Sequence, residues 1–523
     1  MKTKKLLVSL VLVGMMVLTA FGTVGCWQIN EEGTAKDLQI HIWESGFGSD
    51  FLFDLADAYM EQHDDVEIEI VNDSNMSCFY QTISSGVEAN EYDLYFDYGP
   101  KYRQYSAQGY LEDLSEVMKA TPEGESKPIE EKIYPEVAVG FQDQNKYYSL
   151  PWQTNITGIV YKNSVFSQHQ DWELPQTTDD LIDLAGQVQQ AGYVPFIYNT
   201  YGYWDYLVEP WIAQYETIDG LREKFWQAGD PTGKTASQDG WDMQGREEAI
   251  EVLAALIQPD GYSVKDCYSW THTKAQSAFL AGTGDQTAVM SPNGDWLQNE
   301  TKGNAIYFEQ ADLKIMKMPV LSAIVEAPDM QVGQNGNTKT LSEEDLKAAI
   351  SVVDGVEGAV KPEGISDYQF GRIEEARNMS FSTGFQMGVF VPSYAEGREE
   401  AKEFLKFMYS DEGLAIYYQA LNVQLPFNYS DETKNPEDSS QLNGFMQSRA
   451  DIAKNVVYVY NVHYNPIWYN TDLIEQFHNV PETKLMGANG ANQDVKTYLE
   501  EERKYISDNW KRLCTQAGVP YSE

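Results

Sequence analysis

Leu38-Gln39-Ile40-His41-Ile42-Trp43-Glu44-Ser45-Gly46-Phe47-Gly48-Ser49-Asp50-Phe51-Leu52 carries two hydrophobic periods within one short run. Leu38, Ile40 and Ile42 alternate with polar neighbours, the two-residue period of a strand. Gly46 and Gly48 break that period. Ser49 and Asp50 are suited to cap a helix whose Phe51, Leu52, Leu55, Tyr59 and Met60 share one face. Beyond His63-Asp64-Asp65 the alternation returns at Val66, Ile68 and Ile70. Strand, helix and strand in this order read as a βαβ unit, with a right-handed crossover and parallel strands.

The same alternation of periods continues outward. The pattern predicts a buried strand over 92–96 and a short helix over 110–118. Thr177 and Thr178, followed by Asp179 and Asp180, cap a helix carrying Leu181, Ile182, Leu184, Ala185 and Val188. Gly192 stops it and a strand over 194–198 follows. Later come a helix near 272–280, a strand at 287–290, a helix at 396–409 and a charged terminal helix over 495–513. Alternating elements of this kind predict α/β lobes with mainly parallel sheets. Residues 228–245 and 321–375, rich in Gly, Pro, Asp and Glu, read as surface insertions.

Upstream, Lys2, Lys4 and Lys5 precede an uncharged apolar run over 6–20, then Gly22, Thr23, Gly25 and Cys26. Basic, apolar and small segments in that order make residues 1–25 a secretory signal. Thr23-Val24-Gly25-Cys26 resembles a bacterial lipobox, with Thr23 where such motifs usually carry Leu. The resemblance implies cleavage before Cys26 and lipidation of its sulfur; an ordinary signal peptide or an uncleaved anchor are the other readings. Residues 26–37 then form a polar tether. The chain has 523 residues, too many for one ordinary core, so at least two lobes are expected. A net charge of −43 repels nucleic acid and anionic lipid. After Cys26 only Cys78, Cys267 and Cys514 remain, spaced for neither a metal pair nor a dense disulfide framework.

Four stretches carry a family resemblance. Ile40-His41-Ile42-Trp43-Glu44 leads into the glycine loop. Tyr148-Ser149-Leu150-Pro151-Trp152-Gln153-Thr154-Asn155, then Gly158-Ile159-Val160-Tyr161-Lys162-Asn163, is similar to an inter-lobe crossing. Ala288-Val289-Met290-Ser291-Pro292-Asn293-Gly294-Asp295-Trp296 resembles a strand and loop presenting a sugar-stacking Trp. Gly388-Val389-Phe390-Val391-Pro392, Ala401-Lys402-Glu403-Phe404-Leu405 and Ser410-Asp411-Glu412-Gly413 resemble a second crossing and the helix after it. Together they resemble the family 1 extracellular solute-binding proteins, the maltose-binding-protein-like group.

The resemblance implies a two-lobe periplasmic-binding-protein-like fold of type II, with ligand in the cleft and hinge closure around it. It places residues 38–150 plus 388–450 in an N-terminal lobe and 155–383 plus 455–523 in a C-terminal lobe. It implies a monomer without enzymatic activity or cofactor, anchored outside the bacterial cell membrane, that hands a carbohydrate to the permease subunits of an ABC importer.

Sugars offer flat C–H faces and a rim of hydroxyls, so their recognition wants aromatic rings with carboxylates and amides. With 34 Tyr and 12 Trp against 21 Phe, most rings here bring a polar tip. Trp296 follows a strand and a Pro-Asn-Gly-Asp turn, at the strand end where open α/β sheets bind ligands. Asn293 and Asp295 can bond hydroxyls there or serve the turn itself. Trp43 and Glu44 close the first strand; Asp97 and Tyr98 close another at the same edge. Trp152 lies in the proposed crossing, Tyr203 and Trp204 in an aromatic loop, and Trp468 in a late aromatic segment. For Trp296 and Trp43 the alternative is core packing.

Ala228-Gly229-Asp230-Pro231-Thr232-Gly233-Lys234-Thr235 fits a relaxed phosphate-loop pattern. It lacks the buried strand before and the helix after that would aim N–H groups at phosphate, and so reads as a surface loop. No GxSxG elbow, HExxH or EF-hand calcium loop occurs. A secreted glycan-active hydrolase with two carboxylates, and a surface glycan-binding adhesin or sensor, are the competing classes.

Overall fold

The computed structural model describes residues 36–521, apart from 77, 87–89, 100–101, 144, 201, 231–233, 283–286, 332–338, 385–386, 432–441, 461–464, 466, 468–484 and 486–492. The signal segment, Cys26 and Trp468 lie outside the described residues. In chain order the strands are β1 (Lys36–Trp43), β2 (Val66–Asp73), β3 (Leu94–Tyr98), β4 (Gln142–Asp143), β5 (Lys146–Tyr147), β6 (Leu150–Pro151) and β7 (Thr157–Lys162). They continue as β8 (Val194–Phe196), β9 (Ala288–Gly294), β10 (Leu313–Ile315), β11 (Met379–Ser382), β12 (Met387–Phe390) and β13 (Val457–Tyr460).

The opening βαβ unit forms as its periods require: β1 and β2 pair in parallel, with the helix Asp50–Gln62 between them. Leu38, Ile40 and Ile42 meet Phe51, Leu52 and Leu55 of that helix in one core. β1 starts at Lys36, because Lys36 and Asp37 already pair with Val66 and Glu67; the expected tether thus loses its last two residues to the strand.

The first sheet has the order β2-β1-β3-β12-β6 and the second β10-β7-β9-β8. The sheets are not mainly parallel. β12 runs antiparallel to β3 and β6, and β7 antiparallel to β9 and β10. Strands that enter a lobe by crossing from the other one arrive against the direction of its βαβ strands, which local periodicity does not reveal.

Each sheet has its own large core. In the second lobe, helix Thr178–Gln190 carries the expected capping box between Thr177 and Asp180. Two expectations on lobe boundaries and insertions change. Helix Gly444–Ala453, placed in the N-terminal lobe as far as residue 450, buries Phe445 and Met446 in the second core. There Ser448 Oγ also accepts from Ile315 N of β10 (3.0 Å). The segment 321–375 is no surface insertion: helices Glu343–Val353 and Asp367–Arg377, both with capping boxes, bury Leu346, Ile350 and Ile373 in the same core. Their apolar residues recur at helical spacing beneath a composition that reads as loop. Trp241 and Met243, from 228–245, are core residues too.

The terminal helix Val495–Ala517 is fastened by a buried bidentate ion pair from Arg246 to Glu502. Cys78, Cys267 and Cys514 are unpaired.

Candidate functional site

The chain passes between the lobes again after Tyr429, and two of its crossings lie side by side among the described residues. One runs from β6 to β7 through Trp152-Gln153-Thr154-Asn155-Ile156, all buried; the other leaves β11 for β12 through Thr383 and Gly384. Asn155 fastens one to the other. Its Oδ1 accepts from Ser382 Oγ (3.0 Å) and Thr383 N (3.0 Å), and its Nδ2 donates to Thr383 Oγ1 (2.6 Å).

The cleft walls are aromatic. β1 and β3 are parallel neighbours, so their C-terminal residues Trp43 and Tyr98 fall together, edge to face at 6.2 Å. The second lobe answers with three elements. The loop after β8 brings Tyr203, the first turn of helix Asp205–Glu216 brings Asp205 and Tyr206, and β9 leads into Trp296. Tyr203 stacks on Tyr206 (5.0 Å, 15°), and both turn edges to Trp296, at 6.5 and 5.7 Å. Tyr206 also stacks on Phe381 of β11 (5.6 Å).

Two glycines make room for the Trp296 indole. A Cβ at Gly294 would sit 2.2 Å from its six-membered ring, and one at Gly46 of the facing lobe 2.8 Å from its base. Asn299 Nδ2 closes the same junction by donating to the Gly46 carbonyl (2.7 Å).

Electrostatics link the walls. Burial, then the charge of Asp205, pushes the Tyr98 phenol up to about 12, so Tyr98 of the first lobe and Asp205 of the second lie near enough to interact. Burial also raises the Asp205 carboxyl to about 7, against partial relief from its own and the Tyr206 backbone N–H. Both residues keep accessible surface although they lie deep.

The sequence candidates divide accordingly. Trp43, Tyr98 and Tyr203 are half-buried where the lobes face each other, Glu44 is exposed at the end of β1, and Trp296, beside Tyr203, is buried and also packs in the second lobe's core. Trp152 is no cleft residue: fully buried, it stacks on Phe51 (5.9 Å, 19°) and meets Phe96 edge-on. Trp204 is likewise core, against Phe196 and Tyr198.

Asp97 faces inward from β3, where Oδ2 and Oδ1 accept from Phe79 N and Tyr98 N, both at 2.8 Å. The expected Pro-Asn-Gly-Asp turn is the end of β9, paired with β7; Pro292 stands beyond the end of β8, an edge position that tolerates a missing N–H. Asn293 is buried and accepts from Gly294 N (2.9 Å). Asp295 accepts from Ile156 N (3.1 Å) and Arg449 Nε (3.0 Å), locking crossing, sheet and helix together. Asp205, Tyr206 and Phe381 were not among the candidates. Asp205 and Tyr206 directly follow the Tyr203-Trp204 loop, a signal that reached two residues too short.

The phosphate-loop pattern fails on geometry as well. A wide helical turn, Leu221–Trp226, precedes it instead of a strand, and Asp230 Oδ2 occupies Thr235 N.

Residues 54–442 match the family model described as "Bacterial extracellular solute-binding protein". The chain belongs to this family. It is therefore a binding protein of an exported family and not an enzyme. Among curated relatives, this solute-binding protein is 24% identical to the diacetylchitobiose binding protein NgcE of Streptomyces coelicolor over 195 residues, 37% of this chain and 38% of that one. Among solved structures it resembles RafE in complex with raffinose (TM-score 0.56, 14% identity, 90% of this chain and 99% of that one). It also resembles the GacH receptor of Streptomyces glaucescens, solved unliganded and with acarbose (TM-score 0.57, 13% identity, 91% and 98%). These structural likenesses establish the two-lobe α/β fold.

Proposed function

We propose that this solute-binding protein captures an oligosaccharide between its lobes and delivers it to the permease of an ABC importer. Lipidation at Cys26 would hold it on the outer face of the cell membrane. The observation that carries the reading is the cleft itself. Trp43, Tyr98, Tyr203 and Trp296 bring aromatic rings, two with hydroxyl tips, to the junction of the lobes, backed by Tyr206 and with the Asp205 carboxyl group nearby. Sugar rings need that combination of stacking faces and directional acceptors. The named ligands of the similar proteins, diacetylchitobiose, raffinose and acarbose, are all saccharides or saccharide-like.

The test is calorimetry of the soluble form beginning after Cys26 against a glycan panel. Saturable heat with an oligosaccharide, lost in Trp296→Ala, supports the reading. Silence across the panel with binding of a peptide or a polyamine would overturn it.

A further inference from the structure

A second space lies between the lobes. A cavity of about 300 Å³ adjoins the Gly46–Asn299 junction, and none of Trp43, Tyr98, Tyr203, Tyr206 or Trp296 lines it. That volume is at the small end of ligand sites. The first lobe supplies Phe47 and the end of helix Asp411–Leu421, which buries Leu414 and Tyr417 in that lobe's core. The second supplies parts of 295–309 together with Met446. Two amides fix the walls: Asn443 Nδ2 donates to Gln298 Oε1 (2.9 Å), and Asn299 Nδ2 to the Gly46 carbonyl (2.7 Å).

Asp295, on the wall, is 2% exposed; its Oδ2 accepts from Ile156 N and Arg449 Nε, while its Oδ1 has no hydrogen-bond partner. Buried polar atoms are rarely left so, and an N–H entering the cavity would satisfy this one. Lys302 and Glu309 line the same cavity from exposed positions, and neither forms an ion pair with a described residue. A ligand with a single charge would meet one of them as a like charge, whereas a zwitterion meets both as opposites. Leu421, Phe308 and Met446 add an apolar wall.

We propose that this cavity binds a free α-amino acid with an apolar side chain, at a site separate from the aromatic cleft. The ammonium is shared by Glu309 and Asp295 Oδ1, the carboxylate meets Lys302, and the side chain packs on Phe308 and Met446.

Calorimetry of the soluble form beginning after Cys26, at pH 7, compares L-leucine with leucinamide, isocaproate and glycine. Leucine should bind saturably, with a dissociation constant of about 1 mM or below. Loss of either charge should weaken binding at least about threefold, and loss of the apolar side chain at least about tenfold. Lys302→Gln and Glu309→Gln, both at exposed positions, should each weaken leucine about threefold to fivefold. Tyr203→Ala should leave leucine binding unchanged. Silence with leucine at about 10 mM overturns the site. Analogues that bind as tightly as leucine, or charge variants that bind it like the parent, overturn the zwitterion selection. Loss of leucine binding in Tyr203→Ala would put the ligand in the aromatic cleft and overturn a separate site. Each of these outcomes is independent of oligosaccharide capture, which the glycan panel decides.

Discussion

Trp296 shows how much a single side chain depends on its supports. Its ring lies over Gly294, where any Cβ would overlap it. Gly294→Ala should therefore push the indole out of the cleft and lower ligand affinity about tenfold or more, while adding only one methyl group. Unchanged calorimetry for that variant would remove Trp296 from the site. Asp205 makes a prediction of opposite kind. Burial raises its folded carboxyl from 3.8 to about 7, so the folded state holds this proton more tightly than the unfolded chain does. Stability from this group is then greatest below pH 3.8 and is lost progressively as pH rises toward 7. The melting temperature of Asp205→Asn relative to the parent should climb between pH 4 and pH 7 and level off above; a flat difference contradicts it. At this scale the sequence was only partly legible. Trp43 and Tyr98 end strands and meet edge to face, and Trp296 follows a strand by two residues and meets Tyr203. Trp152 and Trp204 neighbour a crossing and a loop and still fill cores, because an indole is mostly apolar body and a loop's position does not say which way it turns.

Elements were more legible than side chains, since a helix or strand writes its period over many residues. The β1–helix–β2 unit and the Thr177 capping box formed as read. The helices within 321–375 were concealed by a Gly- and Pro-containing surround, and strand direction was concealed altogether, because antiparallel pairing here follows from how the chain crosses between lobes. Those crossings rest on Asn155, whose amide makes three hydrogen bonds to Ser382 and Thr383. Asn155→Ala leaves the Thr383 N–H and two hydroxyls without their partner. It should cost about 1–3 kcal/mol in denaturant unfolding. A variant that melts and binds like the parent would mean that the two crossings are held by their strands alone.

Across the whole molecule the question is what sets the lobes relative to one another. Ligand capture needs a hinge that opens, yet one loop of the first lobe already engages the second. Phe47 leaves the β1 glycine loop to join the second lobe's core, Asn299 donates to Gly46, and Ser45 Oγ donates to Gln153 of the first crossing (3.1 Å). Phe47 is an aromatic anchor between lobes, outside the ring of side chains proposed to touch ligand. Its removal should favour the open arrangement, and apparent affinity falls in proportion to the share of molecules able to close. Phe47→Ala should therefore weaken binding several-fold and enlarge the ligand-free radius of gyration in X-ray scattering. Saturating ligand should restore the parent's compactness, because the ligand binds the closed form preferentially. An unchanged scattering profile without ligand would show that the crossings set the lobe angle by themselves and that Phe47 only fills space.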